Sequence, residues 1–164
     1  MAQSLVNSGE LPRLNFPLQK ISLKREKGVV KIYDSSRHKY IVLTPEEYVR
    51  QQFVAYLQNY LHYPSSLIAN EIGIELNGMK KRCDTVVFDS DGSIIMIIEY
   101  KAPEIQISQI VFDQVVRYNL ILRARYLVVT NGLSTYCCRM DYKEHSYSFL
   151  KNVPEYTKIA GKNN

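Results

Sequence analysis

Residues 82–101, Arg-Cys-Asp-Thr-Val-Val-Phe-Asp-Ser-Asp-Gly-Ser-Ile-Ile-Met-Ile-Ile-Glu-Tyr-Lys, contain two apolar runs joined by a polar turn. Both runs are rich in β-branched residues, which favours strands, and Asp91-Gly92 is a strong signal for a two-residue hairpin turn. If these two residues form the turn, Ser90 pairs with Ser93, and the numbers of every further pair sum to 183. The sequence therefore predicts an antiparallel hairpin.

This register brings polar side chains together at the far end of the hairpin. Asp84 lies opposite Glu99, and Arg82 lies opposite Lys101. The Cβ atoms of cross-strand neighbours are about 4.5–5.5 Å apart, and Glu99 and Lys101 share a face because they are two residues apart. We therefore expect a carboxylate pair beside an amine, provided that no β-bulge changes the register.

A pair of facing carboxylates predicts a divalent-cation site. Two such groups repel each other, and burial strengthens the repulsion, whereas Mg²⁺ takes oxygen ligands and usually keeps several waters. A cation held by Asp84 and Glu99 can activate a water for attack on a phosphodiester, and Lys101 can position that water or offset charge on phosphate oxygens. The expected cofactor is Mg²⁺, with Mn²⁺ as a substitute.

The composition is that of an ordinary globular domain. The chain has 164 residues, of which 46% are hydrophobic and 23% charged, and this predicts one domain with its own core. A net charge of +5 permits a polyanionic partner without requiring one. The sequence carries no signal for secretion or for crossing a membrane, and its three cysteines have no zinc spacing. We expect a cytoplasmic protein with no membrane partner.

The rest of the chain predicts an α/β fold. Thr44-Pro45-Glu46-Glu47 has the form of a capping box at a helix start, and Asn77-Gly78 ends a strand. The hairpin is apolar on both faces, with Val86, Phe88, Ile95 and Ile97 expected on one and Val87, Met96 and Ile98 on the other, so a mixed central sheet flanked by helices is expected. Further strands are expected at residues 29–33, 40–43, 67–76, 125–130, 135–140 and 146–150, and helices from residue 44 and at 105–122.

These motifs resemble those of the PD-(D/E)xK nuclease superfamily and, more narrowly, the N-terminal nuclease domain of type I restriction enzyme R subunits. The resemblance implies a restriction-endonuclease-like fold for a nuclease-like domain at residues 29–151. The sequence itself predicts an irregular arm at 1–28 and, from its polarity, a loose tail at 152–164. The motifs that carry it are Thr44-Pro-Glu-Glu-Tyr-Val-Arg50-Gln, Glu71, Arg82-Cys-Asp84, Ile98-Glu-Tyr-Lys101-Ala-Pro, Gln114-x-x-x-Tyr118 and Thr130-Asn131-Gly132.

The resemblance also implies roles for the central residues. Asp84 and Glu99 match the residues that hold Mg²⁺ in that family, and the backbone carbonyl of Tyr100 matches a further ligand. Lys101 matches the lysine that assists the attacking water.

Other residues are implied at the margin of this site. An upstream glutamate, Glu71 or Glu47, would complete it. Gln114 is expected in an apolar helical stripe, where its amide needs a hydrogen-bond partner, and would orient the lysine or a phosphate. Tyr118 is expected beside the site or in the core, and Arg82 is expected either to contact DNA or to form a salt bridge with a neighbouring glutamate.

The expected function is a Mg²⁺-dependent endonuclease acting on DNA. The family's R subunits carry a helicase motor after this domain, and this sequence contains no Gly-x-x-x-x-Gly-Lys-Ser/Thr loop, so translocation would come from a separate ATPase or specificity subunit. A homodimer is an open alternative, since dimers commonly cut both strands. The alternative function is a non-catalytic or partner-dependent nucleic-acid-binding module on the same fold.

A second Asp-x-Lys sequence occurs at Asp141-Tyr142-Lys143. It has no preceding apolar strand of the required kind and no partner carboxylate. We therefore expect it at the surface without a catalytic role.

Overall fold

A mixed β-sheet with helices on both faces forms the centre of the computed structural model, which describes residues 10–162. The predicted α/β class is confirmed, and the predicted strands and helices are all present with small shifts of their ends. In chain order the elements are β1 (Leu23–Glu26), β2 (Val29–Asp34), β3 (Lys39–Val42), α1 (Pro45–Asn59), β4 (Ile68–Leu76), β5 (Met79–Phe88), β6 (Ile94–Tyr100), α2 (Gln109–Leu122), β7 (Tyr126–Thr130), β8 (Thr135–Asp141), β9 (Ser146–Leu150) and α3 (Tyr156–Ile159).

The six strands of the central sheet follow the order β4-β5-β6-β7-β8-β9. Strands β6 and β7 run parallel and are joined through α2, and the other neighbours are antiparallel, which makes the sheet mixed as predicted. Strands β1, β2 and β3 form a separate antiparallel sheet. No helix within residues 10–162 combines the length and apolar content needed to cross a bilayer.

Helix α1 begins where its capping residues predict. The Thr44 hydroxyl accepts a hydrogen bond from the Glu47 N–H at 3.1 Å, and Pro45 is the first helical residue. Val49, Phe53 and Leu57 recur at helical spacing and are buried against one face of the sheet. Burial of side chains of this size contributes about 1.5–3 kcal/mol each, so this stripe fixes the helix on the sheet.

Two apolar cores enclose the central sheet, one on each face. Val87, Met96 and Ile98 face α1 in the first core, whereas Val86 and Ile97 face α2 in the second. The prediction that the hairpin is covered on both sides is therefore confirmed.

The turn between β5 and β6 is one residue longer than predicted. Gly92 donates to the Asp89 carbonyl at 3.0 Å, and Asp89 donates to the Ser93 carbonyl at 2.8 Å. Gly92 has φ +83°, a conformation that favours glycine. The predicted pairing of Ser90 with Ser93 is wrong, because three residues rather than two form the loop.

A β-bulge at Ile95 cancels this difference. Phe88 pairs with Ile94, but the next pair is Val87 with Met96, which restores the predicted sum of 183. Ile95 consequently lies in the first core beside Met96, so its predicted place on the opposite face is wrong. The extra bulged residue shifts the side-chain alternation by one.

Both chain ends contain structure where the sequence predicts none. Strand β1 lies within the arm expected to be irregular, and Leu23 in it is buried against β2. In the tail expected to be loose, Val153 and Ile159 are buried in the first core, and Gly161 donates to the Asp89 carboxylate at 2.9 Å. These segments are too short and polar for local patterns to reveal them; long-range contacts hold them. Residues 1–9 and 163–164 lie outside the described residues.

Candidate functional site

Asp84 lies where the regular pairing of β5 with β6 stops. The last paired residues are Thr85 and Ile98, and beyond them the Asp84 carboxylate accepts the N–H of Tyr100 at 2.9 Å. At this point the Asp84 side chain, rather than the backbone of β5, is the hydrogen-bond partner of β6. This contact holds the Asp84 carboxylate at the end of β6, beside Glu99.

The carboxylate of Glu99 is largely buried, and one of its oxygens accepts no hydrogen bond from the described residues. Its side chain is 13% exposed, and Oε1 has no hydrogen-bond partner among the described residues. The nearest cation is the Lys81 ammonium, 3.0 Å from Oε1 in an ion pair without hydrogen-bond geometry. Burial, and then the Asp84 carboxylate, raise the pKa of Glu99 to about 7, while Lys81 opposes the rise.

Lys101 extends the pairing of β6 with β7, since its N–H donates to the Thr130 carbonyl at 2.9 Å. Its side chain is half-buried and makes no ion pair or hydrogen bond with any residue that the structure describes. Its charge lowers the pKa of Glu46, which places the amine near the start of α1. The ammonium group of the predicted catalytic lysine therefore has no partner among the described residues and interacts electrostatically with Glu46.

Glu46, exposed in the first turn of α1, interacts electrostatically with Asp84, which the sequence interpretation did not predict. Partial loss of hydration, and then the Asp84 carboxylate, raise its pKa. The upstream candidate Glu47 is instead engaged by Arg50 and by Gln51, whose Nε2 lies 2.9 Å from Oε1. Helical spacing alone does not separate the two glutamates, because Arg50 lies three residues after Glu47 and four after Glu46.

Glu71 aligns with Asp84 but is held by two arginines. Asn77-Gly78 forms a tight turn, and the resulting β4–β5 register leaves Glu71 and Asp84 opposite each other. Glu71 Oε2 lies 2.6 Å from Arg37 Nη2 and 2.9 Å from Arg82 Nη2. The salt-bridge interpretation of Arg82 is confirmed, whereas the role of Glu71 as a metal ligand stays a prediction.

The two predicted residues on α2 differ in their surroundings. Gln114 is exposed and makes no hydrogen bond within residues 10–162, so its predicted place in a buried stripe is wrong. The buried face is formed by Phe112, Val115 and Asn119. Tyr118 is 51% exposed, and the Lys81 ammonium lies 4.0 Å from its ring centroid. Lys81 therefore contacts both the Tyr118 ring and the Glu99 carboxylate.

Lys81 itself is a second residue that the sequence interpretation missed. In a regular strand it would face away from Asp84, three residues later. However, Cys83 and Val86 both lie in the second core, although they too are three residues apart. The alternation of β5 therefore changes phase near Asp84, and Lys81 comes to the same face as Glu99.

The second Asp-x-Lys sequence is at the surface, as predicted. Asp141 Oδ1 accepts the N–H groups of Lys143 and Glu144, each at 3.0 Å, and so closes the turn between β8 and β9.

The donor set suits a hard cation. Asp84 and Glu99 offer carboxylate oxygens, and one of them, Glu99 Oε1, is buried and paired only with the Lys81 ammonium. Within residues 10–162, no three His, Cys, Asp or Glu side chains form a ready cage. Mg²⁺ is commonly bound through one or two carboxylates with several waters retained, so these residues fit Mg²⁺ or Mn²⁺.

Comparison with known proteins identifies the family of the chain. Residues 45–154, more than half of the chain, match the sequence model of the type I restriction enzyme R protein N terminus. The chain belongs to this family. The matched segment contains Glu46, Asp84, Glu99 and Lys101, and it begins after the β1–β3 sheet. The resemblance inferred from the motifs is thereby confirmed.

The family assignment is accompanied by a structural likeness. A fragment described as an HsdR subunit of a type I restriction enzyme from Vibrio vulnificus YJ016 superposes with a TM-score of 0.52 and 18% identity. The match covers 71% of this chain and 24% of that chain, so this chain spans about a quarter of that structure. The likeness supports the restriction-endonuclease-like fold. No curated protein matches the chain significantly.

We expect Glu99→Gln to stabilise the metal-free protein more at pH 8 than at pH 5. The pKa of Glu99 rises from 4.5 to about 7 on folding. The folded state therefore loses stability relative to the unfolded state as the pH rises between these two values. The stability difference between variant and wild type should shift in the variant's favour by roughly 2–3 kcal/mol between these pH values. Urea unfolding in EDTA measures it, with the exposed Glu104→Gln as the control substitution. A pH-independent difference would contradict the burial argument.

Proposed function

We propose that the chain is a Mg²⁺-dependent endonuclease that hydrolyses phosphodiester bonds of DNA in the cytoplasm. The observation that carries the proposal is the meeting of the Asp84 and Glu99 carboxylates at the ends of β5 and β6, where Glu99 Oε1 is paired with the Lys81 ammonium but accepts no hydrogen bond from any described residue. Membership of the R-protein N-terminal family supports a nuclease-related role.

Asp84, Glu99 and the Tyr100 carbonyl would hold the cation, and Mn²⁺ would substitute for Mg²⁺. When bound, Mg²⁺ would supply Lewis-acid polarisation of the phosphate and a nucleophile at neutral pH. Glu46, whose pKa is raised by the charge of Asp84, would accept a hydrogen bond from a water at the site. Glu71 would contribute only if it left its two arginines.

Lys101 would act on the substrate directly. Its ammonium makes no contact with the carboxylates, so it is available to position the attacking water or to stabilise charge on phosphate oxygens in the transition state. Gln114 and Tyr118 lie one turn apart on α2, and we assign Gln114 a phosphate contact. Arg82, whose side chain is 69% exposed, would contact the DNA backbone.

Lys101→Met is expected to reduce Mg²⁺-dependent plasmid cleavage by at least about a hundredfold, because general acid–base groups commonly contribute 10²–10⁴-fold. Lys143→Met is the matched control, since it changes the lysine of the surface Asp-x-Lys sequence and should cut like the wild type. Supercoiled plasmid, followed on agarose gels, measures both rates. Equal cleavage by the two variants would contradict the role of Lys101.

One observation favours the second candidate, a partner-dependent or non-catalytic DNA-binding module. Lys81 neutralises Glu99 in this structure, and the match covers only 24% of the related solved chain. An ATPase or specificity subunit would then be needed for activity. Plasmid binding without cleavage in either Mg²⁺ or Mn²⁺ would select this alternative.

A further inference from the structure

Lys81 and a bound cation would need the same atom. The Lys81 ammonium lies 3.0 Å from Glu99 Oε1, the oxygen that has no hydrogen-bond partner in the part of the chain that the structure describes. The side chains of the two residues are 18% and 13% exposed, so solvent screens their attraction only weakly. An ammonium group at this distance occupies the position from which a divalent cation would approach Oε1.

The surroundings of Lys81 give its ammonium a second favourable contact. The Tyr118 ring centroid lies 4.0 Å from Lys81 Nζ, within the range of a cation–π interaction. An ammonium that leaves Glu99 can therefore stay over the ring. The neighbouring Lys80 has no such arrangement: its side chain is 83% exposed, and its ammonium is 3.9 Å from Glu75.

We propose that Lys81 competes with the divalent cation for Glu99 and thereby sets the metal affinity of the site. In the metal-free protein Lys81 neutralises Glu99; when a cation binds, the ammonium moves off Oε1 and remains at the margin of the site beside Tyr118. This inference rests on the proposed metal site. It makes Lys81 a positioning residue that acts through Glu99.

The test is calorimetric titration of the full chain with MnCl₂, after treatment with EDTA and buffer exchange. Lys81→Met keeps most of the side-chain stem but removes the competing charge, so it should bind Mn²⁺ about tenfold more tightly than the wild type, a change equal to about 1.4 kcal/mol. Lys81→Arg keeps the charge and should retain the wild-type affinity. Lys80→Met, on the same strand, should also bind like the wild type.

A thermal melt provides the second measurement and shows that the variants are folded. Lys81→Met leaves Glu99 without its counter-charge, so its melting temperature should be lower than that of the wild type without metal and should rise more on addition of Mn²⁺. A merely structural lysine would lower the melting temperature without tightening Mn²⁺ binding.

The outcomes separate this inference from the proposed function. Wild-type binding with no gain in a folded Lys81→Met would overturn the competition and leave the metal site intact. Mn²⁺ binding by Lys81→Met but not by the wild type would support the inference, since Lys81 would then exclude the cation completely under these conditions. Binding by neither protein would overturn both.

Discussion

Asp84→Asn is expected to weaken Mn²⁺ binding by at least about a hundredfold and to abolish plasmid cleavage. Asn has the shape of Asp and can still accept the Tyr100 N–H, which Asp84 accepts at 2.9 Å, so the end of β6 should be preserved. The substitution removes one of two charged ligands, and loss of even an outer-shell partner commonly costs 10–100-fold in metal affinity. Calorimetric titration and the plasmid assay measure the two effects.

The control for this variant is Asp141→Asn. Asp141 also accepts backbone N–H groups, at the turn between β8 and β9, but has no partner carboxylate. It should bind Mn²⁺ and cut DNA like the wild type. If Asp84→Asn retained wild-type metal affinity, the assignment of Asp84 as a ligand would be wrong.

Arg50→Met is expected to destabilise the protein by about 3 kcal/mol, the largest stability effect that we predict. The Arg50 side chain is 5% exposed; its Nη2 lies 3.4 Å from Asp34 Oδ2, and its Nε donates to Glu47 at 3.2 Å. Removal of this cation leaves Asp34, with a side chain that is 1% exposed, short of one counter-charge. Urea unfolding followed by circular dichroism measures the loss.

Arg82→Met provides the matched control. Arg82 also pairs with a glutamate, Glu71, but its side chain is 69% exposed, and exposed pairs contribute about 0–1 kcal/mol. We expect its unfolding free energy to fall by less than about 1 kcal/mol. Equal losses in the two variants would show that burial does not govern this network.

The proximity of Asp84 to Glu99 was predictable because local signals determine the hairpin. β-branched runs, an Asp-Gly turn and apolar residues on both faces restrict the register, since a one-residue slip would expose a core face. Even so, the register holds only because the longer turn and the bulge at Ile95 cancel each other. Neither the three-residue loop nor the bulge follows from the sequence pattern.

Lys81 and Glu46 could not be placed from local patterns. Lys81 reaches Glu99 because β5 loses its alternation near Asp84, opposite Glu71 with its positive φ of 52°. Glu46 approaches Asp84 because α1 packs across the sheet, which is a tertiary contact. Both residues depend on how elements meet rather than on the sequence of one element.

Gln114 illustrates a limit of helical periodicity. Apolar residues occur on more than one side of α2, and Ile110, which is 71% exposed, lies on the same side as Gln114. The packed face instead runs through Phe112, Val115 and Asn119. Spacing alone does not tell which of two apolar stripes a sheet will cover, so the contact of Gln114 with substrate stays a prediction.

The most direct test of a metal-dependent site at Asp84 and Glu99 is nicking of supercoiled plasmid by the wild type in Mg²⁺, beside Asp84→Asn at the same concentration and with an EDTA control. We expect nicked or linear DNA from the wild type alone, and none in EDTA. Cleavage by Asp84→Asn at the wild-type rate, or wild-type cleavage that persists in EDTA, would contradict a metal-dependent site at Asp84 and Glu99.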